Sequence, residues 1–179
     1  VDDALVGIPW FTDAGVFYYR PDLLEKYGFE AEPQTWDELE EQAQAIMEGE
    51  IAENPAFTGF VWQGNAYEGL TCNGLEWQFS QDGGRIIEPD GTVTINNPEA
   101  IAAFERAAGW VGGISPEAVT GYMEQDARGV FQGGNAAFMR NWPGDYATMS
   151  EPGSAVAGIF DVGQLPAGAG GTRAATLGG

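Results

Sequence analysis

A chain of 179 residues is long enough to bury a sizeable core and fits one domain, or one lobe of something larger. Its 44% hydrophobic and 12% aromatic content excludes disorder as the default, and 27 acidic residues against one lysine and six arginines give a net charge of −20. That field repels phosphate and so argues against nucleic acid and anionic membranes as partners, while the absence of histidine and a single cysteine, Cys72, remove the commonest general base, the usual metal ligands and any intrachain disulfide.

The acidity has a plain reading. Abundant Glu, Asp, Ala and Gly with almost no Lys suit a protein kept soluble in concentrated salt, where screening removes self-repulsion; a salt-adapted source is the expectation. No apolar run approaches the length of a membrane span, and no signal peptide opens the chain.

In chain order, residues 4–10 read as a buried strand and "GVFYYR" (15–20) as a second, bounded by Pro21. "PDLLEKYG" carries proline at the first helical position and Gly28 at its end. The next helix opens with Thr35 three residues before Glu38, a capping box. Trp36, Leu39, Ala43, Ile46 and Met47 line one face of it, and it ends near Gly49. "FTGFVWQG" (57–64) alternates as a short strand, 66–82 reads as a helix weakened by Gly69 and Gly74, and "GGRIIEPDGTVTI" reads as a hairpin turning at Asp90-Gly91. Asn97-Pro98 and Ser115-Pro116 each set a capping side chain before a proline, starting one helix to about Val111 and a further segment. A helix near 122–132 follows. "AVAGIFDVGQLP" reads as a strand and turn, and a Gly/Ala-rich loop (167–171) leads to a last strand. Strands and helices mix with no internal repeat, which makes the class α/β. Trp10, Tyr18, Tyr19, Trp36 and Trp110 lie on apolar faces and read as core, and Cys72 as a small buried hydrophobe.

"FQGGNAAFMRNWP" (131–143) stands apart. Gly133-Gly134 lacks the Lys-Ser/Thr of a phosphate loop and follows a helix instead of preceding one, so it reads as a helix end leading into a strand. The strand finishes in Arg140-Asn141-Trp142-Pro143, at the rim where open α/β sheets hold ligands. A tryptophan there offers a flat apolar face, and the polar pair beside it offers donors. Sugar rings present that combination in reverse, an apolar C–H face ringed by hydroxyls.

"GIPWFTDAGVFYYRPDLLEKYG", "PQTWDELEEQAQAI", "GFVWQGNAYEGLTC", "FQGGNAAFMRNWP" and "AATLGG" occur in the order found in extracellular solute-binding proteins of ABC importers, and the chain resembles that family from about Leu5 to Gly179, its trehalose- and maltose-binding members above all. The resemblance implies one lobe of a two-lobed periplasmic-binding-protein-like fold, with a central mixed β-sheet flanked by helices. Residues 1–13 would be the hinge strand entering the C-terminal lobe, 14–173 the lobe, and 174–179 the strand leaving it; an N-terminal lobe and the last helices would lie outside the chain. It further implies a sugar in the interlobe cleft, a glucose-containing disaccharide such as trehalose or maltose, delivered to permease subunits outside the cell by a protein anchored to the membrane through an N-terminal segment. No catalysis, cofactor or metal belongs to that role.

Carried over residue by residue, the resemblance assigns Asp13 as a carboxylate accepting two sugar hydroxyls and Trp142 as a stacking ring. It sets Phe11 where sugar-binding members have a tyrosine, and gives Tyr67, with Gln63 and Glu68 beside it, to a cleft-lining loop where core packing and ligand contact fit equally. Gly178 and Gly179 match backbone positions that approach the sugar. Tyr146 takes the place of a second aromatic, and Gly144-Asp145 departs from the aromatic usual there. Two other readings remain open. Aromatics with carboxylates also describe glycoside hydrolases, although no acid pair stands out among the 27. "QDGG" and "EPDG" hint at calcium loops but lack alternating ligands and read better as turns.

Overall fold

The computed structural model describes residues 5–8 and 12–178. Among these residues six strands and six α-helices run in the order β1 (Asp13–Ala14), β2 (Val16–Tyr19), α1 (Pro21–Tyr27), α2 (Trp36–Glu50), β3 (Thr58–Val61), α3 (Glu68–Ser80), α4 (Pro98–Trp110), α5 (Glu124–Gln132), β4 (Ala136–Asn141), α6 (Asp145–Met149), β5 (Asp161–Gly163) and β6 (Leu177–Gly178), with a 3₁₀ turn at Glu117–Gly121 before α5. The larger sheet has the order β3-β4-β2-β5. β3 and β4 run parallel, whereas β2 is antiparallel to both β4 and β5. β1 and β6 form a separate antiparallel pair, Asp13 opposite Gly178 and Ala14 opposite Leu177. The α/β class with a mixed sheet flanked by helices is therefore the observed one.

Local chemistry explains where the helices begin. Thr35 accepts from the Glu38 N–H at 3.2 Å while Glu38 Oε2 accepts from the Thr35 N–H at 3.2 Å, so the predicted capping box is formed. Replacing Thr35 by alanine is expected to cost about 1 kcal/mol of folding stability, read from chemical denaturation. Asn97 Oδ1 accepts from the Ala100 N–H at 2.8 Å and starts α4, and Gly28 closes α1 in the left-handed region at φ 80°. Ser115 departs from expectation. It caps nothing; its hydroxyl accepts the Trp62 indole N–H at 3.1 Å.

The period of two along each strand divides the interior into two cores. Phe17, Phe60 and Phe138 face one side, with Trp36, Trp62, Trp77 and Trp110; Tyr18, Val61 and Met139 face the other, with Ala127 and Phe131 of α5. Both faces are covered, so β3 and β4 are buried along their whole length. Four tryptophans interlock, Trp62 on Trp77 at 5.0 Å, Trp77 on Trp110 at 5.5 Å and Trp110 on Trp36 at 5.6 Å between centroids. Three of their indole N–H groups are satisfied, by Ser80, Ser115 and Glu40. Tyr18, Trp36 and Trp110 are core as expected, Tyr19 is half-buried, and Trp10 lies outside the described residues.

Three expectations need correction. Residues 5–8 form no strand, and Leu5, Val6 and Ile8 are 82%, 75% and 83% exposed. Apolar composition predicts burial only where something packs against it, and among the described residues nothing does. In "AVAGIFDVGQLP" only Asp161–Gly163 pairs as a strand, because the preceding residues turn instead of extending. The 86–95 segment keeps its turn, Gly91 at φ 87°, but its two arms meet in a single Ile87–Val93 bridge.

Candidate functional site

β4 ends at Asn141, and the residues beside Trp142 are arranged differently from expectation. Arg140 and Asn141 were expected to offer donors outward, yet they are 1% and 0% exposed. The Arg140 guanidinium grips Glu76 of α3 through two bonds, Nε to Oε2 at 2.9 Å and Nη2 to Oε1 at 2.6 Å, and its Nη1 donates to Gln63 Oε1 at 3.1 Å. Asn141 Oδ1 accepts from the Trp142 N–H at 2.9 Å, and Asn141 Nδ2 donates to the Glu124 carbonyl at 3.1 Å. These donors are spent on fixing the strand end.

The Trp142 ring lies 4.0 Å from the Arg140 guanidinium carbon, measured to the ring centroid. Its Nε1–H donates to Glu124 Oε1 at 3.3 Å, and its carbonyl accepts the Tyr18 hydroxyl at 2.8 Å. The ring therefore has a set tilt while remaining partly exposed. Around it gather carboxylates. Asp145 begins α6 and accepts from Arg128 Nη1 at 2.7 Å through Oδ1, while Oδ2 is buried with no partner. Burial raises the Asp145 carboxyl above its ordinary value despite Arg128, and the charges of Glu124 and Asp13 add to the rise. The Tyr18 hydroxyl is pushed up by burial first and then by Asp145.

Asp13 is half-buried on β1; its Oδ1 accepts from the Ala14 N–H at 3.2 Å, and its backbone pairs with Gly178. Tyr67 precedes α3. Its hydroxyl is buried facing the Glu124 carboxylate, and burial first, then Glu124, pushes it up. Trp142 and Tyr67 thus converge on Glu124, and Asp13 and Trp142 converge on Asp145 and Tyr18. Gln63 is 0% exposed and sits beneath, donating to the Arg140 carbonyl at 3.1 Å as well as accepting from its side chain. Glu68 is exposed and turned to Cys72, whose thiol donates to it at 2.9 Å. Phe11 and Gly179 lie outside the described residues.

Sequence reasoning missed Glu76 and Glu124. The signal was available for the first: an arginine inside the apolar run "AAFMRNW" needs a buried counter-charge. Cys72 is buried as expected, and burial, followed by Glu68, pushes its thiol up to about 12. At pH 8 such a thiol is ~0.01% thiolate, against about a quarter for an ordinary one near 8.5. Cys72 is therefore expected to react with iodoacetamide at pH 8 about a thousandfold more slowly than free cysteine, followed by mass. Complete labelling within minutes would contradict the burial.

Chemically, the arrangement offers a flat apolar ring fringed by acceptors, with the nearest cations, Arg128 and Arg140, already paired. It suits an uncharged ligand rich in hydroxyl donors. A groove of about 480 Å³ lined by Tyr67, Leu70, Ile86, Ile95 and Phe104, and another of about 450 Å³ lined by Glu76, Phe79, Arg173 and Thr176, include neither Trp142 nor Asp13. Among the described residues no cluster of His, Cys, Asp and Glu could hold a metal ion, and no helix is long and apolar enough to cross a membrane.

Comparison with known proteins agrees along the whole chain. Residues 1–179 match the family described as bacterial extracellular solute-binding protein. A probable ABC transporter-binding protein of Deinococcus radiodurans is 55% identical over 179 residues, which is 100% of this chain and 43% of that protein. Maltose-bound MalE3 of T. maritima superposes with a TM-score of 0.92 at 49% identity, over 100% of this chain and 45% of that one. An ABC transporter solute-binding protein of Thermotoga lettingae TMO, bound with α-D-tagatose, gives a TM-score of 0.80 at 25% identity over 97% of this chain and 43% of that one. The chain thus spans less than half the length of the relatives it matches.

Proposed function

The chain belongs to the bacterial extracellular solute-binding protein family, and on that premise we propose that it forms one sugar-contacting lobe of the receptor of an ABC importer. Membership makes it part of a binding protein and not an enzyme, which sets aside the glycoside-hydrolase reading. The fold is that of one lobe of a two-lobed periplasmic binding protein.

The observation that carries the sugar reading is Trp142, a partly exposed ring of fixed tilt bonded to the Glu124 carboxylate, which with Asp13 and Asp145 forms one group of acidic side chains. In this reading the exposed part of the ring takes the C–H face of a sugar, and Asp13 accepts two adjacent hydroxyls. Gln63 acts from beneath by holding Arg140, whereas Glu68 remains a contact from the loop edge. Gly178, paired with Asp13, would let the sugar approach the backbone, while Phe11 and Gly179 are proposed as ligand contacts on the family resemblance alone. In this reading 1–13 and 174–179 are the segments that enter and leave the lobe and 14–173 is the lobe, a division supported by the pairing of Asp13–Ala14 with Leu177–Gly178.

The relative that is 49% identical binds maltose, which makes maltose and trehalose the first ligands to try. Sugar touching two lobes favours the closed state by its extra contacts there, and closure is what the permease reads. Anchoring to the outer surface of the membrane belongs to the same proposal. The test is calorimetric titration of the intact protein with maltose, trehalose and glucose, with the recovered sugar analysed for cleavage. Tight binding of one sugar, returned intact, is the expected result, and failure of all three sinks the proposed ligand class. The 179-residue lobe alone is expected to bind the same sugar with Kd of ~1 mM or weaker, because it owns only part of the contacts. Micromolar binding by the lobe would contradict the two-lobed site.

A further inference from the structure

The buried ion pair beneath Trp142 has reach beyond the ring. Glu76 Oε1, which accepts from Arg140 Nη2 at 2.6 Å, also accepts the backbone N–H of Thr176 at 3.0 Å. Thr176 is one residue before β6. Its hydroxyl donates to the Cys72 carbonyl of α3 at 2.8 Å, and its carbonyl accepts the Gly15 N–H at 3.2 Å, one residue after β1. Gly15 packs against the pair so closely that a Cβ there would overlap Glu76 Oε1 and lie 2.6 Å from Arg140 Nη2. The same guanidinium lies over the Trp142 ring, its carbon 4.0 Å from the ring centroid.

The geometry points to Arg140 and Glu76 as positioning residues that join the Trp142 ring to the β1–β6 strand pair, so that the seat of the ring and the placement of those strands are set by one buried contact. Each side chain is 1% exposed, which leaves the pair no solvent to relax into, and the two-bond grip fixes the plane of the guanidinium against the ring. A shift of the ring is thereby a shift of the guanidinium, of Glu76 and of the Thr176 amide. The functional weight of this link rests on the proposed role of Trp142 in sugar binding; the link itself needs no ligand.

The experiment uses the intact protein labelled with 5-fluorotryptophan, with the Trp142 resonance assigned through Trp142→Phe, and amide exchange followed at Thr176. In Arg140→Met the Trp142 resonance is expected to move or broaden and Thr176 exchange to accelerate at least about tenfold, with the β3 amides followed as the reference for the accompanying loss of global stability. An unmoved Trp142 resonance, or unchanged Thr176 exchange, overturns the link. Should Arg140→Met fail to fold, the double variant Glu76→Leu/Arg140→Met, which leaves no buried charge unpaired, carries the Trp142 readout. A third measurement needs no variant: the wild-type protein must show a cross-relaxation contact between the Arg140 Nε–H and the Trp142 ring protons, and its absence overturns the link. No sugar enters any of these measurements. A protein that passes them and binds no sugar counts against the proposed function alone, and one that binds sugar and fails them counts against the link alone.

Discussion

Replacing Arg140 by methionine is expected to lower the free energy of unfolding by about 3–5 kcal/mol, the largest loss of any single substitution considered for this chain. The magnitude follows from what is left behind. Glu76 is 1% exposed, and without the guanidinium its carboxylate keeps only the Thr176 N–H as a donor. Gln63 Oε1 loses a donor as well and retains only the longer contact from Asn73 Nδ2 at 3.3 Å. The desolvation cost of the carboxylate then stands against almost no Coulombic return. Removing both charges together, Glu76→Leu with Arg140→Met, is expected to recover most of the loss, falling short by about 1 kcal/mol for the orphaned Thr176 N–H. Urea denaturation of the wild type, the single variant and the double variant measures all three. A single-variant loss below about 1 kcal/mol would mean that water reaches the pair, contrary to its burial.

What the sequence made legible was local. The α1, α2 and α4 boundaries follow from Pro21, Gly28, Thr35, Glu38, Asn97 and Pro98, whose chemistry acts within four residues of each helix end. The strand over 16–19 and the ring at 142 were visible for the same reason. The misses are non-local. Arg140 finds Glu76 across 64 residues and Trp142 finds Glu124 across 18, and no short-range pattern records either. Residues 5–8 have the composition of a strand without a neighbour to make them one. Ser115-Pro116 looks like a cap, but the nearby indole of Trp62 competes for the hydroxyl and holds it. α3 shows the same limit from the other direction. It buries Gly69, Cys72, Asn73, Glu76, Trp77, Gln78 and Ser80, a set too polar to read as one apolar face, because its inward side holds the ion pair as well as core.

Trp142→Ala in the intact protein is expected to weaken sugar binding by about 1–3 kcal/mol, roughly 5- to 150-fold in Kd, from lost stacking and lost apolar burial. The fold is expected to tolerate the change better than it tolerates loss of Arg140. Trp142 is partly exposed, and the Tyr18 hydroxyl bonds to its backbone carbonyl, which alanine keeps. Arg140 would lose a face to stack on but retain Glu76 and Gln63. A loss of affinity in a variant that still unfolds cooperatively therefore reports on the ring and not on the lobe. Trp142→Phe sharpens the reading. It keeps a flat face over the guanidinium and removes only the Nε1–H bond to Glu124 at 3.3 Å, so its loss should be the smaller of the two. If phenylalanine costs as much as alanine, the indole N–H and the Glu124 carboxylate it orients carry the effect instead of stacking. If alanine leaves the titration unchanged while the sugar still binds, Trp142 packs the rim without touching the ligand, and the contact surface must be sought around Asp13 and Tyr67.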